Sequence, residues 1–160
     1  MNKKEKILAG GFVDRIGNQE ANVTYFINNK KKHNEVQLIK NYSEAIKIAL
    51  KMLCSPKYGI INTIHEIDAV GHRVVHGGEQ FTKSMLINEK VFQKIKDNIH
   101  LAPLHNPSNI KGIESSLFFI PFARQIAVFD TAFHQTMESH AYIGLPEKVK
   151  FSKKMTFSVY

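Results

Sequence analysis

The order of hydrophobic and polar residues predicts a strand-rich start to the chain. Two β-branched and aromatic runs, residues 7–16 and 23–27, favour strands, and residues 17–20 between them have the composition of a turn. The lysine-rich residues 30–34 are typical of a second turn, which would lead into a short strand at residues 36–39.

Three later segments have the apolar spacing of helices. Residues 43–53 carry an apolar stripe at helical period, and Asn41 or Ser43 can cap that helix. A second helix is predicted from Glu89 to about His100 with Asn88 as its cap, and a third from Pro107 with Asn106 as its cap. The side chains predicted to face inward are Phe92, Ile95 and Ile99 in the second helix and Ile110, Ile113 and Leu117 in the third.

Two apolar runs in the second half predict buried strands. Residues 67–75 have apolar side chains on both faces, which is typical of a strand covered on both sides, and residues 126–129 form a shorter run. Helices are predicted between these strands, so the order indicates an α/β fold with a mixed sheet and flanking helices.

Composition narrows the class of protein. The 160 residues are 43% hydrophobic, which fits a globular protein, and no apolar run is long enough to span a bilayer. Cys54 is the single cysteine, so the chain cannot form an intramolecular disulfide, which is consistent with a reducing cytoplasm. Because Cys54 follows an apolar helical run, we expect its thiol to be buried and inert. The net charge of +8 arises mainly from lysines near the ends and at residues 30–32, without a nucleic-acid-binding motif, so we expect no nucleic-acid and no membrane partner.

Arg73 is the anomaly of the strand at residues 67–75. A guanidinium on a buried strand needs an anion, and its planar fork suits a carboxylate or a phosphate. Val75 shares its face on a two-residue period, so a small substrate with an anionic and an apolar end would meet both side chains. The alternative is an internal ion pair with a glutamate beside a glycine-rich turn.

Two further residues are candidates for a site. His105 lies between prolines at the predicted start of a helix, where free amides favour anions, although its ring could instead bond a loop carbonyl. Asp130 follows the short strand at residues 126–129, where open α/β sheets place ligands. Its carboxylate could bind Mg²⁺ through water, position an arginine or cap the next turn.

Histidine spacing argues against a zinc site. His72 and His76 are four residues apart, as are Asp130 and His134, and a helix would place either pair on one side. The first pair, however, lies on a predicted strand that runs into glycines, and the chain has no HExxH pattern.

Three long segments, GHRVVHGGEQF, LAPLHNPSNIKGI and AVFDTAFHQTM, resemble the acetate kinase family in sequence, order and spacing. Weaker matches at residues 10–17, 67–70 and 141–142 extend the resemblance from about residue 6 to residue 146. It implies a partial ribonuclease H-like domain of the sugar kinase/Hsp70/actin superfamily. It also implies reversible phosphoryl transfer from ATP to acetate with Mg²⁺, giving acetyl phosphate and ADP, in an enzyme that is typically a homodimer.

The resemblance also implies roles for single residues. Arg73 would bind the acetate carboxylate or the transferring phosphoryl group, and His105 would contact that phosphoryl group. Val75 and Leu104 would form part of the pocket for the acetate methyl group. Asp130 would organise Mg²⁺ or the nucleophilic carboxylate.

Several family segments do not occur in these 160 residues. Members begin with a phosphate-binding Asn-x-Gly-Ser-Ser-Ser-x-Lys turn and continue to a Tyr-Gly-Phe-His-Gly-Thr-Ser-His motif. We therefore expect residues 1–146 to be an incomplete N-terminal domain and residues 147–160 an atypical tail, frameshifted or truncated, with no clear amphipathic pattern. We expect the fragment to be inactive alone. The alternatives are a non-catalytic anion-binding or degenerate gene product, or a kinase for propionate or butyrate.

Overall fold

The structure is a computed structural model that describes residues 7–28, 30–78, 81, 83–130 and 154–159. In the last of these ranges and at residues 31–32, only the backbone is described. Contacts divide the chain into two compact units, residues 1–66 together with 150–160, and residues 67–149. The predicted boundary at residue 146 lies outside the described residues and stays a prediction.

The described residues form seven strands and three α-helices. The strands are β1 (Ala9–Asp14), β2 (Ala21–Ile27), β3 (Lys30–Gln37), β4 (Ala69–Val74), β5 (Met85–Leu86), β6 (Arg124–Phe129) and β7 (Lys154–Val159). The helices are α1 (Tyr42–Leu53), α2 (Glu89–Asp97) and α3 (Asn106–Phe119), and short 3-10 helices lie at Ile64–Glu66 and Asn98–Leu101. No helix in this part of the chain is long and apolar enough to cross a membrane.

The first unit is an antiparallel sheet in the order β3-β2-β1-β7. The predicted turn at residues 30–34 is wrong, because these residues begin β3. The chain turns earlier, beside Asn28, whose φ of 48° lies in the left-handed region that asparagine tolerates. Lysines suit β3, since it is an edge strand of the described sheet, where charged side chains discourage pairing with other chains.

Helix α1 has the cap predicted from the sequence. Asn41 Oδ1 accepts a hydrogen bond from the backbone N–H of Glu44. The apolar side of α1 contributes Ala45 to a core with Val13, Val23 and Ile39. Cys54, just beyond the helix, is only partly buried, contrary to the prediction of a buried thiol. Burial and the Glu66 carboxylate raise its pKa, which keeps the thiol protonated.

The second unit contains the mixed sheet that the sequence predicted, in the order β4-β6-β5. Strands β4 and β6 are parallel, and β5 is antiparallel to β6. Helices α2 and α3 supply Ile95, Ile110 and Ile113 to the core against the sheet, as predicted. Ile99 and Leu117 were predicted to face inward as well, but each is 37% exposed.

The other face of β4 is exposed, contrary to the prediction of cover on both faces. Val74 is fully buried, whereas Ala69, Gly71 and Arg73 on the alternate face are exposed in the described structure. The sequence pattern misled here because the residues that precede Arg73 on this face, Ala69 and Gly71, are small and are tolerated in solvent as well as in a core. Arg73 therefore projects from an open face.

The tail contains a strand that its sequence pattern did not predict. Residues 154–159 form β7 and pair antiparallel with β1 in an unbroken register from Ala9–Val159 to Asp14–Lys154. Chain order places β7 after the second unit, yet it completes the sheet of the first.

Candidate functional site

The site begins where β4 and β6 end side by side. In the parallel register Arg73 lies opposite Val128, so Asp130, which follows β6, lies next to the arginine. Arg73 Nε donates to both carboxylate oxygens of Asp130 at 3.0 Å, and Nη2 donates to Oδ2 at 2.8 Å. Of the three roles predicted for Asp130, positioning an arginine is the one this geometry shows.

The arginine is exposed rather than buried. Its side chain is 76% exposed and that of Asp130 is 34% exposed, so the prediction that burial forces Arg73 to find an anion was wrong. The hydrogen bond and the charge of Asp130 raise the pKa of Arg73, which keeps the guanidinium protonated. Nη1 has no hydrogen-bond partner among the described residues. The pair therefore holds a cation in a fixed direction with donors left for an anion.

His105 lies at the start of helix α3, as predicted. It is the cap residue, and Pro107 follows within the first turn. The residue is half-buried, and the carbonyl of His105 accepts from the N–H groups of Ser108 and Asn109 at 3.0 Å. Leu104 beside it is 77% exposed. Val75 is half-buried and lies one residue beyond the end of β4. The predicted pocket for a methyl group stays a prediction.

Asn106 is not the helix cap that the sequence predicted. It is fully buried, and its Nδ2 donates to the carbonyls of His76 and Asn98, both at 3.0 Å. Its Oδ1 accepts from the N–H of His76 at 3.4 Å. A buried amide needs these partners, and satisfying them leaves it unavailable to cap the helix.

A second asparagine, one turn along α3, strengthens the same link. Asn109 Oδ1 accepts from the N–H of Val75 at 3.3 Å. The two asparagines join the start of α3 to the segment that leaves β4. Sequence reasoning missed both roles. The signal available was two asparagines at residues 106 and 109, a spacing that puts them on one side of a helix.

His72 has a structural contact rather than a metal-binding one in this part of the chain. Gln125 donates its amide to the carbonyls of Ile120 and Ala123, so its Oε1 accepts from His72 Nε2 at 2.7 Å. Within the described ranges no group of three or more His, Cys, Asp or Glu side chains is placed to hold a metal ion. His134 lies outside those ranges.

Burial lowers the pKa of His72, and the Gln125 hydrogen bond only partly offsets this, so the folded state disfavours protonation more than the unfolded state does. Stability should therefore be highest above about pH 6.5 and fall below it, by up to about 1.4 kcal/mol per pH unit until the folded-state pKa is reached. The variant His72→Gln keeps a donor for Gln125 but cannot be protonated. Urea unfolding should show that its free energy of unfolding depends less on pH than that of the wild-type chain. Parallel profiles would contradict this, and His100→Gln, at an exposed histidine, is the control.

The fold and site define an α/β protein that presents an arginine–carboxylate pair at the carboxyl edge of its sheet. The sequence pattern of the Acetokinase family matches residues 1–156. Acetate kinases of Caldanaerobacter subterraneus subsp. tengcongensis and Desulfitobacterium hafniense are each 48% identical to the chain, over 88% and 91% of its length.

Solved structures agree with the sequence comparison. The acetate kinase of Porphyromonas gingivalis superposes with a TM-score of 0.81 at 40% identity, over 92% of this chain and 37% of that protein. A propionate kinase from Francisella tularensis gives a TM-score of 0.69 at 39% identity, over 87% of this chain and 35% of that protein. The chain belongs to the acetokinase family. It spans about a third of the length of the curated relatives, 35% and 38% of the two named above.

Proposed function

We propose that the chain contributes the acetate and phosphoryl side of an acetate kinase active site, for reversible transfer of a phosphoryl group from ATP to acetate. The observation that carries this proposal is the exposed Arg73, held by two nitrogen donors on the Asp130 carboxylate in a chain of the acetokinase family. An arginine held in this way is oriented before the substrate arrives, so little ordering entropy remains to be lost on binding.

The chemistry asked of these residues is mainly electrostatic. Phosphoryl transfer needs the reacting groups in line and the charge on the equatorial oxygens stabilised, with little covalent help from the protein. Arg73 would bind the acetate carboxylate or the phosphoryl oxygens through its outward N–H groups. His105, at the start of α3, would donate to a phosphoryl oxygen, and Val75 with Leu104 would contact the methyl group.

Magnesium and ATP are the cofactors that the family implies. The described residues do not form a magnesium site by themselves, because Asp130 is a single carboxylate and both of its oxygens already accept from Arg73. The role proposed for Asp130 is therefore to orient Arg73. A cytoplasmic location and a homodimer belong to the same proposal.

Acetate is the proposed acceptor rather than propionate or butyrate. Curated relatives at 43–49% identity are named acetate kinases, and the solved structures include acetate kinases at 40% and 31% identity and a propionate kinase at 39%. The exposed Leu104 by itself does not set the size of a pocket. Competition between acetate and propionate for the chain would measure the preference.

Calorimetry on the purified chain tests the proposed site. Phosphate and acetyl phosphate should bind at millimolar concentration, and equal ionic strength of sodium chloride should give no saturable heat, which controls for the net charge of +8. In a coupled assay, the rate of acetyl phosphate formation by this chain should be orders of magnitude lower than that of a full-length relative. Absence of saturable binding would contradict the site, and robust turnover would contradict the expected inactivity of this chain alone.

A further inference from the structure

Val128 lies directly opposite Arg73 in the parallel register of β4 and β6. The next pair in that register, Val74 and Phe129, is buried in the core, and successive side chains of a strand point to opposite faces of the sheet. Val128 therefore projects from the same open face as Arg73, and it is 45% exposed in the described structure.

The ion pair brings the side chain of Arg73 towards Val128. Asp130 lies two residues beyond Val128, and its carboxylate meets the Arg73 guanidinium on the open face. Adjacent strands are about 4.8 Å apart, and two residues of a strand span about 6.6 Å. To reach Asp130, the arginine side chain must leave β4 and lean over towards β6, next to Val128. An anion bound to that guanidinium would therefore lie beside the methyl groups of Val128.

The open face has room for a ligand next to these two residues. Gly71 precedes Arg73 on this face, and apart from its chain neighbours no described atom lies within 4 Å of the position that a Cβ atom would take there. Ile126 pairs with Gly71, is half-buried and extends the apolar surface of Val128 along β6. A guanidinium beside apolar surface, with space above it, fits a small ligand that has an anionic end and a short alkyl end.

We propose that Val128 is a specificity-determining residue of this site, which contacts the alkyl group of an acyl phosphate whose anionic end is bound by Arg73. This rests on the proposed function. The family resemblance implied Val75 and Leu104 for this contact, but Val128 is the apolar residue that the observed register pairs with Arg73. Contact between an alkyl group and Val128 removes apolar surface of both from water, so it should favour an acylated phosphate over phosphate itself.

Two variants of Val128 and one control variant test this contact. Val128→Thr keeps the β-branched shape that suits a strand and replaces one methyl group by a hydroxyl group, whereas Val128→Ala removes both methyl groups. Val36→Thr is the matched control, because this valine is 59% exposed on β3 in the other unit. Inorganic phosphate, acetyl phosphate and propionyl phosphate are the probes. Calorimetry on the full chain measures their affinities, and thermal unfolding checks that each variant is folded.

We expect Val128→Thr to weaken acetyl phosphate binding by about threefold and to leave phosphate binding unchanged, since phosphate has no alkyl group. Val128→Ala should raise the affinity for propionyl phosphate relative to that for acetyl phosphate, because it makes room for one more methylene group. Val36→Thr should change none of these affinities.

Equal effects of Val128→Thr on phosphate and on acetyl phosphate would overturn the role of Val128 alone. A loss of acetyl phosphate binding in Val36→Thr as large as that in Val128→Thr would do the same. A wild-type chain that binds neither phosphate nor acetyl phosphate would overturn this role together with the proposed function.

Discussion

Arg73→Ala is expected to weaken phosphate and acetyl phosphate binding by about 100-fold, because a fixed guanidinium can give the anion two charged hydrogen bonds. The same change should alter the free energy of unfolding by less than about 1 kcal/mol, since the ion pair with Asp130 is largely exposed to solvent. Calorimetric titration and urea unfolding of the same preparations measure the two effects.

Two further variants define what Arg73 contributes. Arg73→Lys keeps the charge but loses the planar fork that donates to Asp130 through Nε and Nη2, so it should recover only a small part of the affinity. Arg124→Ala removes an exposed arginine from the opposite end of β6 and should leave binding unchanged. Equal losses in the Arg73 and Arg124 variants would show that net charge, rather than this site, attracts the anion.

Removal of residues 150–160 is expected to make the chain self-associate and to lower its melting temperature by about 5–10 °C. Strand β1 pairs with β2 on one side and with β7 on the other. Without β7, the N–H and carbonyl groups along one side of β1 become an open edge, which can pair with another chain. Sedimentation velocity and thermal unfolding report the two consequences.

Removal of Tyr160 alone is the control, because this residue follows the last one of β7. It should leave the sedimentation coefficient and the melting temperature as in the full chain. A shortened chain that stays monomeric and melts like the full one would show that β7 does not protect the edge of β1. This experiment does not test anion binding, since Arg73 and Asp130 belong to the other unit.

Local sequence signals determined much of the second unit. Asn88 accepts from the N–H of Val91 and caps α2 as predicted, because an asparagine oxygen at this position satisfies a free N–H of the first helical turn. The strand that ends in Asp130 was predicted from its apolar run, and it pairs in the predicted mixed sheet. The candidate residues Arg73, His105 and Asp130 were identified by sequence, and the structure places each at the carboxyl end of a strand or at a helix start.

Signals that depend on a distant partner were misjudged. The lysines at residues 30–32 have the composition of a turn, but pairing with β2 makes them part of an edge strand. Asn106 has the sequence position of a cap, yet the carbonyls of His76 and Asn98 take its amide. Composition alone does not contain these partners, which lie 8 and 30 residues away along the chain.

The sequence by itself determined the family, the α/β class and the residues that carry the candidate chemistry, because periodicity, caps and long motifs are local properties of the chain. Only the tertiary structure decided which of these residues meet. Arg73 and Asp130 are 57 residues apart in sequence, and the parallel pairing of β4 with β6 brings them into contact. It also decided that Arg73 is exposed and that β7 covers β1, since burial and sheet order depend on packing between distant segments.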